Sequence, residues 1–340
     1  IRKRTISILL ILMVMLTMTP MTVSAATTVD GSEGNPLVVS TYEDWKAAMQ
    51  QSGETYIKLG ADIDASGMNG GYGLGSADGV RVYGNIHLDL NGKKLTLKKS
   101  QIEEGGEICF IRVITGSLTI EDSQGGGEIV GVNKVTKRYM QLIEVQKGTK
   151  LTLNSGKLHL KFNADADLDN ATIWSTGTVE INGGTVSISK MGEWDEPNGY
   201  IYSQNFALEA IAESDNCCAL IKGGTFDGRV LLKAVAKDSS VADNVITGGD
   251  FKKSIYIRKD KAVTGDVPLN VSIQGGTYHY TPGYRTNPAN DPYYPGKKNS
   301  DPYNLFQFAT LGFRDGVVYH DGAVYSAFNG GSLVETTHKY

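Results

Sequence analysis

The dipeptide Gly-Gly recurs in one fixed setting through the second half of the chain. The copies are Ile181-Asn182-Gly183-Gly184-Thr185-Val186, Ile221-Lys222-Gly223-Gly224-Thr225-Phe226, Ile246-Thr247-Gly248-Gly249-Asp250-Phe251 and Ile273-Gln274-Gly275-Gly276-Thr277-Tyr278. Each copy ends one β-branched, alternating run and begins another, and glycine supplies the positive φ that a sharp corner needs. The unit is therefore strand, corner, strand. Successive second glycines lie 40, 25 and 27 residues apart, and looser versions stand upstream at Asn91-Gly92-Lys93 and Asn154-Ser155-Gly156-Lys157. A period near one solenoid coil, with no helical pattern between copies, predicts an all-β chain wound as a parallel β-helix, a β-solenoid.

Short strands such as Lys150–Asn154, Thr178–Ile181 and Val186–Ser189 are too small to form a stable sheet alone. No Asn-Gly hairpin chemistry joins most of them as antiparallel pairs. Stacking each strand above its equivalent in the previous coil pairs the backbone along the axis and lines up the inward Val, Ile, Leu and Phe positions. The residue after Gly-Gly-Thr/Asp is Val186, Phe226, Phe251 or Tyr278, all large, as an inward stack requires.

Residues 1–25 read as a signal peptide, with basic Arg2-Lys3-Arg4, an apolar stretch from Ile6 to Leu16 and a small-residue cleavage site at Val23-Ser24-Ala25. The apolar run is too short for a typical membrane span. The expectation is a secreted or wall-associated, extracellular protein with no stable membrane span after cleavage. Without Arg2, Lys3 and Arg4, 30 basic residues face 37 acidic ones, a net charge near −7. No basic run carries interleaved aromatics, so nucleic acid is not an expected partner. Three cysteines, two of them adjacent at Cys217-Cys218, make no disulfide framework. In a strand one of that pair faces the core and the other faces out.

Residues 26–39 read as a flexible mature N-terminus. Ser40 and Glu43 have capping-box spacing, and Trp45, Ala48 and Met49 make one apolar face before Gly53. A short helix there is expected to plug the open end of the solenoid, which spans residues 40–280. The glycine-rich stretch 67–75 lacks a Gly-Lys-Ser/Thr ending and opens no helix, so it is no phosphate cradle. Residues 281–340 read as a Tyr/Pro-rich loop followed by a hairpin centred on Asp321-Gly322 that closes the far end.

The runs Tyr56-Ile57-Lys58-Leu59-Gly60-Ala61-Asp62-Ile63, Leu88-Asp89-Leu90-Asn91-Gly92-Lys93-Lys94-Leu95-Thr96-Leu97 and Gly116-Ser117-Leu118-Thr119-Ile120-Glu121-Asp122-Ser123, with the later Gly-Gly-Thr copies, carry a family likeness. This pattern resembles the opening coils of pectate-lyase-like right-handed β-helix domains in surface proteins of anaerobic Gram-positive bacteria. The resemblance covers roughly residues 40–280 and implies the fold. Activity has to be argued from a site, because this fold hosts lyases, hydrolases, esterases, tailspikes and adhesins.

Three candidate sites stand out. Asp165, Asp167 and Asp169 alternate in an extended segment, so their carboxylates would face one way and suit a hard cation such as Ca²⁺; a solvated loop is the competing reading. Lys233 and Arg258 fall eight residues after Thr225 and Asp250, as Glu193 does after Thr185, and would stack on one outward face if the coils are in register. Polysaccharide lyases of this fold use a basic residue to abstract a sugar proton, which gives Lys233 and Arg258 a catalytic reading beside that of a surface charge ladder. The third candidate is the insertion holding Glu193, Trp194, Asp195, Glu196 and Tyr200. An exposed indole beside carboxylates suits a sugar: the ring stacks on the pyranose face while the acids accept hydroxyl hydrogen bonds.

Elbow, zinc-helix and Cys-x-x-Cys motifs are absent from the sequence. The expected function is a non-catalytic, secreted or cell-surface β-helix that binds a polysaccharide or surface glycan. The alternative is a polysaccharide lyase or glycoside hydrolase of the same fold.

Overall fold

The computed structural model describes residues 30–65, 79–99, 108–133, 140–162, 170–190, 205–211, 218–235, 241–253, 255–259, 270–273, 276–278, 283–285, 325–329 and 332–336. All structural statements below concern these residues, within the compact unit that begins at Gly31.

The chain winds as a right-handed parallel β-helix. Each coil passes through three sheets, which run along the axis with nine, eight and eight strands and always join equivalent strands of successive coils. The first sheet starts with Leu37–Val39 and Glu54–Leu59 and ends with Val271–Ile273. The second runs from Ile63–Ala65 to Thr277–Tyr278, and the third from Val80–Val82 to Gly283–Arg285. The solenoid thus begins three residues ahead of Ser40 and continues past residue 280.

The reason for winding lies in the inward columns. In the first sheet Ile57, Leu88, Ile120, Leu153, Ile181, Ile221 and Ile246 follow one another in register through successive coils, and Ile273 holds the next register position. In the second sheet Leu158, Val186, Phe226 and Phe251 do the same, so the expected stack is present from Val186 to Phe251, and Tyr278 holds the next register position. Each such side chain taken from water stabilises by about 1.5–3 kcal/mol, and no coil can bury its own without a neighbour.

The two glycines of each corner serve different needs. The second, such as Gly184 at φ 77°, sits in the left-handed region that side chains disfavour. The first is required by the coil beneath: a Cβ on Gly183 would lie 2.5 Å from the carbonyl oxygen of Asn154. The same corner is laced by side chains, with the Asn182 amide donating to Asn154 Oδ1 at 2.9 Å.

One helix, α1, spans Tyr42–Met49. Its N-cap is Thr41 rather than Ser40: the Thr41 hydroxyl accepts from the Asp44 N–H at 3.2 Å and donates to the Asp44 carboxylate at 2.6 Å. The capping pair is therefore Thr41 and Asp44, one residue beyond the expected Ser40 and Glu43. The helix also stops at Met49, before Gly53, with Gln50 as its C-cap. Trp45, Ala48 and Met49 are buried in the main core, and the helix packs on the opening strands of all three sheets. It closes the N-terminal end as expected.

Cys218 is buried and both it and Cys109 are free thiols, while Cys217 lies outside the described residues. The hairpin expected about Asp321-Gly322 also lies largely outside them. The antiparallel pair that is described joins Tyr325–Asn329 to Ser332–Thr336.

Connection lengths are unevenly distributed. Corners between the first and second sheets hold three to six residues, for example 154–156, 222–224 and 122–127. Between the second and third sheets the early connections are long, at 66–79, 100–107, 134–139, 163–169 and 191–204, then shrink to Gly228 and 252–254. Between the third and first sheets the trend reverses, from 83–84 and 176–177 to 212–218, 235–243 and 260–270. Buried asparagines tie the later ones: Asn244 Oδ1 accepts from Ala219 N–H at 2.9 Å and Asn270 Oδ1 from Val235 N–H at 2.8 Å. Within the solenoid, every connection of seven or more residues therefore joins a strand of the third sheet to one of its two neighbouring sheets.

Candidate functional site on the outer face of the third sheet

Strands of the third sheet do not alternate simply. In Met140–Val145 both Leu142 and Ile143 belong to the core, so Gln141 and Glu144 share the outer face. The next coil places Ala171 and Trp174 there, and the next Phe206 and Glu209. Rows along the axis follow from the register. One row reads Cys109, Gln141, Ala171, Phe206 and Arg229. The other reads Arg81, Arg112, Glu144, Trp174 and Glu209, each about 4.8 Å from the last.

This outer face is buried to a degree unusual for the exterior of a solenoid. Arg112, Glu144 and Glu209 are 6%, 3% and 8% exposed. Charged side chains are almost never taken from water unless paired, and the Arg112 guanidinium bonds the Glu144 carboxylate through Nε. Glu144 Oε1 also accepts from the Gln146 amide at 3.2 Å. Beside the pair, Gln141 Oε1 is buried with no hydrogen-bond partner among the described residues. Ala171, Phe206 and Leu231 form a small apolar cluster separate from the main core, with the half-buried indole of Trp174 packed on it. The half-buried Cys109 thiol is pushed up by desolvation and by the nearby Glu144 charge.

The Trp174 indole stands in register between Glu144 and Glu209, one coil to either side. The half-buried ring has an apolar face of the kind that packs on a pyranose, while the flanking carboxylates are held inside the protein, Glu144 by Arg112 and Gln146. The sequence holds a signal for this row that is visible only after alignment on the third sheet: Gln141-Leu142-Ile143-Glu144, Ala171-Thr172-Ile173-Trp174 and Phe206-Ala207-Leu208-Glu209 are equivalent.

The residues singled out from sequence fall as follows. Lys233 and Arg258 are register partners, and Arg285 continues their row. Glu193 is not the third member, because Ile211 occupies the position before Lys233. The 191–204 connection is long and breaks an eight-residue count that starts from Thr185. Glu193, Trp194, Asp195, Glu196 and Tyr200 belong to that connection and lie outside the described residues, as do Asp165, Asp167 and Asp169 in the 163–169 connection. Among the described residues no group of three or more His, Cys, Asp or Glu is placed to hold a metal ion.

Residues 37–157 match a family model described as "Putative pectate lyase-like adhesive domain". No curated protein and no solved structure matches the chain. The matched stretch runs from the first strand to Lys157, including Arg112 and Glu144, and the later coils continue all three sheets, with a register shift between Phe206 and Leu208 in the third. Residues 37–157 are thus similar to a pectate-lyase-like adhesive domain, and the wound segment as a whole is a parallel β-helix.

Proposed function

We propose that this chain is an extracellular, surface-displayed adhesive module that binds glycan without turning it over. The carrying observation is the row Glu144, Trp174, Glu209 on the one sheet that all long insertions border. The adhesive description of the matched family supports a surface partner. Among the described residues no helix is long and apolar enough to cross a membrane. Glu193, Trp194, Asp195, Glu196 and Tyr200 belong to the 191–204 connection between the second and third sheets and are proposed to take part in binding.

The test is binding to an array of plant, host and bacterial polysaccharides, with product release followed in parallel. The reading expects binding without turnover, weakened at least tenfold in Trp174→Ala and further in the Trp174→Ala/Trp194→Ala double variant. Binding indifferent to both substitutions overturns it.

The in-register pair Lys233 and Arg258 favours a second reading, a polysaccharide lyase in which one of them removes the sugar proton and Asp165, Asp167 and Asp169 hold Ca²⁺. Calcium-dependent release of unsaturated sugar, abolished by Lys233→Ala or Arg258→Ala, would establish it in place of the adhesin.

A further inference from the structure

The outer face of the second sheet brings a carboxylate, an imidazole and a hydroxyl into one line. Strands Glu128–Asn133, Lys157–Phe162 and Thr185–Lys190 lie in successive coils, and their register stacks Val130, His159 and Ser187. Glu128 stands two residues before that row in the previous coil, and Ser189 two residues after it in the next. The His159 ring spans the diagonal: its Nδ1 lies 3.3 Å from Glu128 Oε1 and its Nε2 lies 2.8 Å from Ser189 Oγ. The contacts reach across 31 and 30 residues of chain, so only the winding brings the three together.

Each member is held for its part. Glu128 is pinned by ion pairs with Lys157 at 3.1 Å and Lys94 at 3.2 Å. Burial alone would raise its carboxyl, but the two ammonium groups outweigh that and hold it below the ordinary range, so it is ionised. Desolvation, followed by the charges of Lys157 and Lys161, lowers the pKa of His159 and favours the neutral ring that a base requires. A carboxylate can only accept, so Nδ1 of the neutral ring carries the proton toward Glu128 and Nε2 accepts from the Ser189 hydroxyl. Ser187 on the same strand makes the contrast: it is 4% exposed and its hydroxyl donates to the Leu158 carbonyl at 3.3 Å. Ser189 is partly exposed. Lys161 is its register partner, and the Lys161 charge is felt at the His159 ring.

A hydroxyl within hydrogen-bond reach of a base that a third group orients is the geometric signature of nucleophilic acyl transfer. We propose that Ser189, His159 and Glu128 form a serine-esterase site that cleaves acyl esters by way of an acyl-serine. Ser189 Oγ attacks the ester carbonyl carbon and gives its proton to His159 Nε2, while the Lys161 ammonium group faces the oxyanion that forms. The imidazolium passes that proton to the departing alkoxide, which leaves as the alcohol. Water then gives a proton to the same nitrogen as it attacks the acyl group, and the carboxylic acid departs as Ser189 takes the proton back. Ser189 and His159 are the catalytic residues, and Glu128 positions the ring. The site lies on a different sheet from Trp174, and neither reading rests on the other.

Incubation of the full chain with a fluorophosphonate, a reagent for activated serines, followed by peptide mass mapping, tests this, with 4-nitrophenyl acetate as the turnover substrate. An adduct on Ser189 is expected, together with nitrophenol release that Ser189→Ala removes. His159→Gln should slow labelling by about 100-fold or more. Glu128→Gln should slow it less and move the acid limb of the labelling profile to lower pH, because an adjacent anion favours the imidazolium; a merely structural Glu128 would leave that limb in place. Ser117→Ala, on the first sheet, should label as the parent chain does. Melting temperatures show which variants keep the fold, and the adduct on the parent chain needs no variant. An unlabelled Ser189, or labelling indifferent to His159→Gln in the folded variant, would overturn the assignment.

Discussion

The ring of Phe251 lies flat on that of Phe226, one coil below, with centroids 4.9 Å apart and planes 8° from parallel. Both are fully buried, and they continue a column that begins among smaller aliphatic residues. The widening from Val186 to two phenylalanines fills a second sheet whose strands have shrunk to two or three residues in these coils. Phe226→Ala should therefore cost about 3–5 kcal/mol. Because each coil touches only its neighbours, the loss should appear in urea denaturation as earlier unfolding of the C-terminal coils.

Corner glycines should separate into two classes. Gly148 has φ 81° and open space where a Cβ would go, so Gly148→Ala carries only conformational strain, about 1–2 kcal/mol. A Cβ on Gly248 would run into the Lys222 carbonyl of the coil beneath. Gly248→Ala must move backbone, and its melting temperature should fall further than that of Gly148→Ala. Equal shifts would show that the coils slide apart freely at this corner.

Acid should find Glu180 early. Hydrogen bonds from Lys150 and Lys222 hold its carboxyl down at about 2, against an ordinary value of 4.5. The stabilisation is fully present above the unfolded value and is lost as pH falls from about 4.5 toward 2, since the unfolded chain takes up the proton first. Glu180→Gln should flatten the stability profile across that window. A profile with unchanged slope would place the acid sensitivity elsewhere.

The buried pair on the third sheet should behave as a unit. Removing one partner strands the other charge away from water, so Glu144→Gln is expected to cost about 3–5 kcal/mol. Arg112→Met/Glu144→Leu should recover much of that loss, because two apolar side chains need no desolvation. A double-mutant cycle read by chemical denaturation measures the difference, and additive losses would show that the two side chains act independently.

Much of this architecture was legible in the residues themselves. Gly-Gly corners, the inward Val186, Phe226 and Phe251, and the apolar face of Trp45, Ala48 and Met49 are local features: each depends on a few consecutive residues and on the period-two or period-3.6 geometry of the chain. The capping residue slipped from Ser40 to Thr41 because both hydroxyls have a carboxylate three positions on, and only the packed helix chooses between them. The outer face was a different matter. Which side chains share a row depends on the length of every intervening connection, and those lengths vary from one coil to the next. Glu193 therefore missed the row of Lys233, while Arg112 met Glu144 across 32 residues. The two inward residues Leu142 and Ile143 set Glu144, and with it the row of Trp174 and Glu209, on the outer surface. Sequence by itself determined that the chain winds and where it turns, because corners and columns are written in short repeats. Only the tertiary structure decided which charges and rings meet on its faces, because register is a sum over loops that no local pattern encodes.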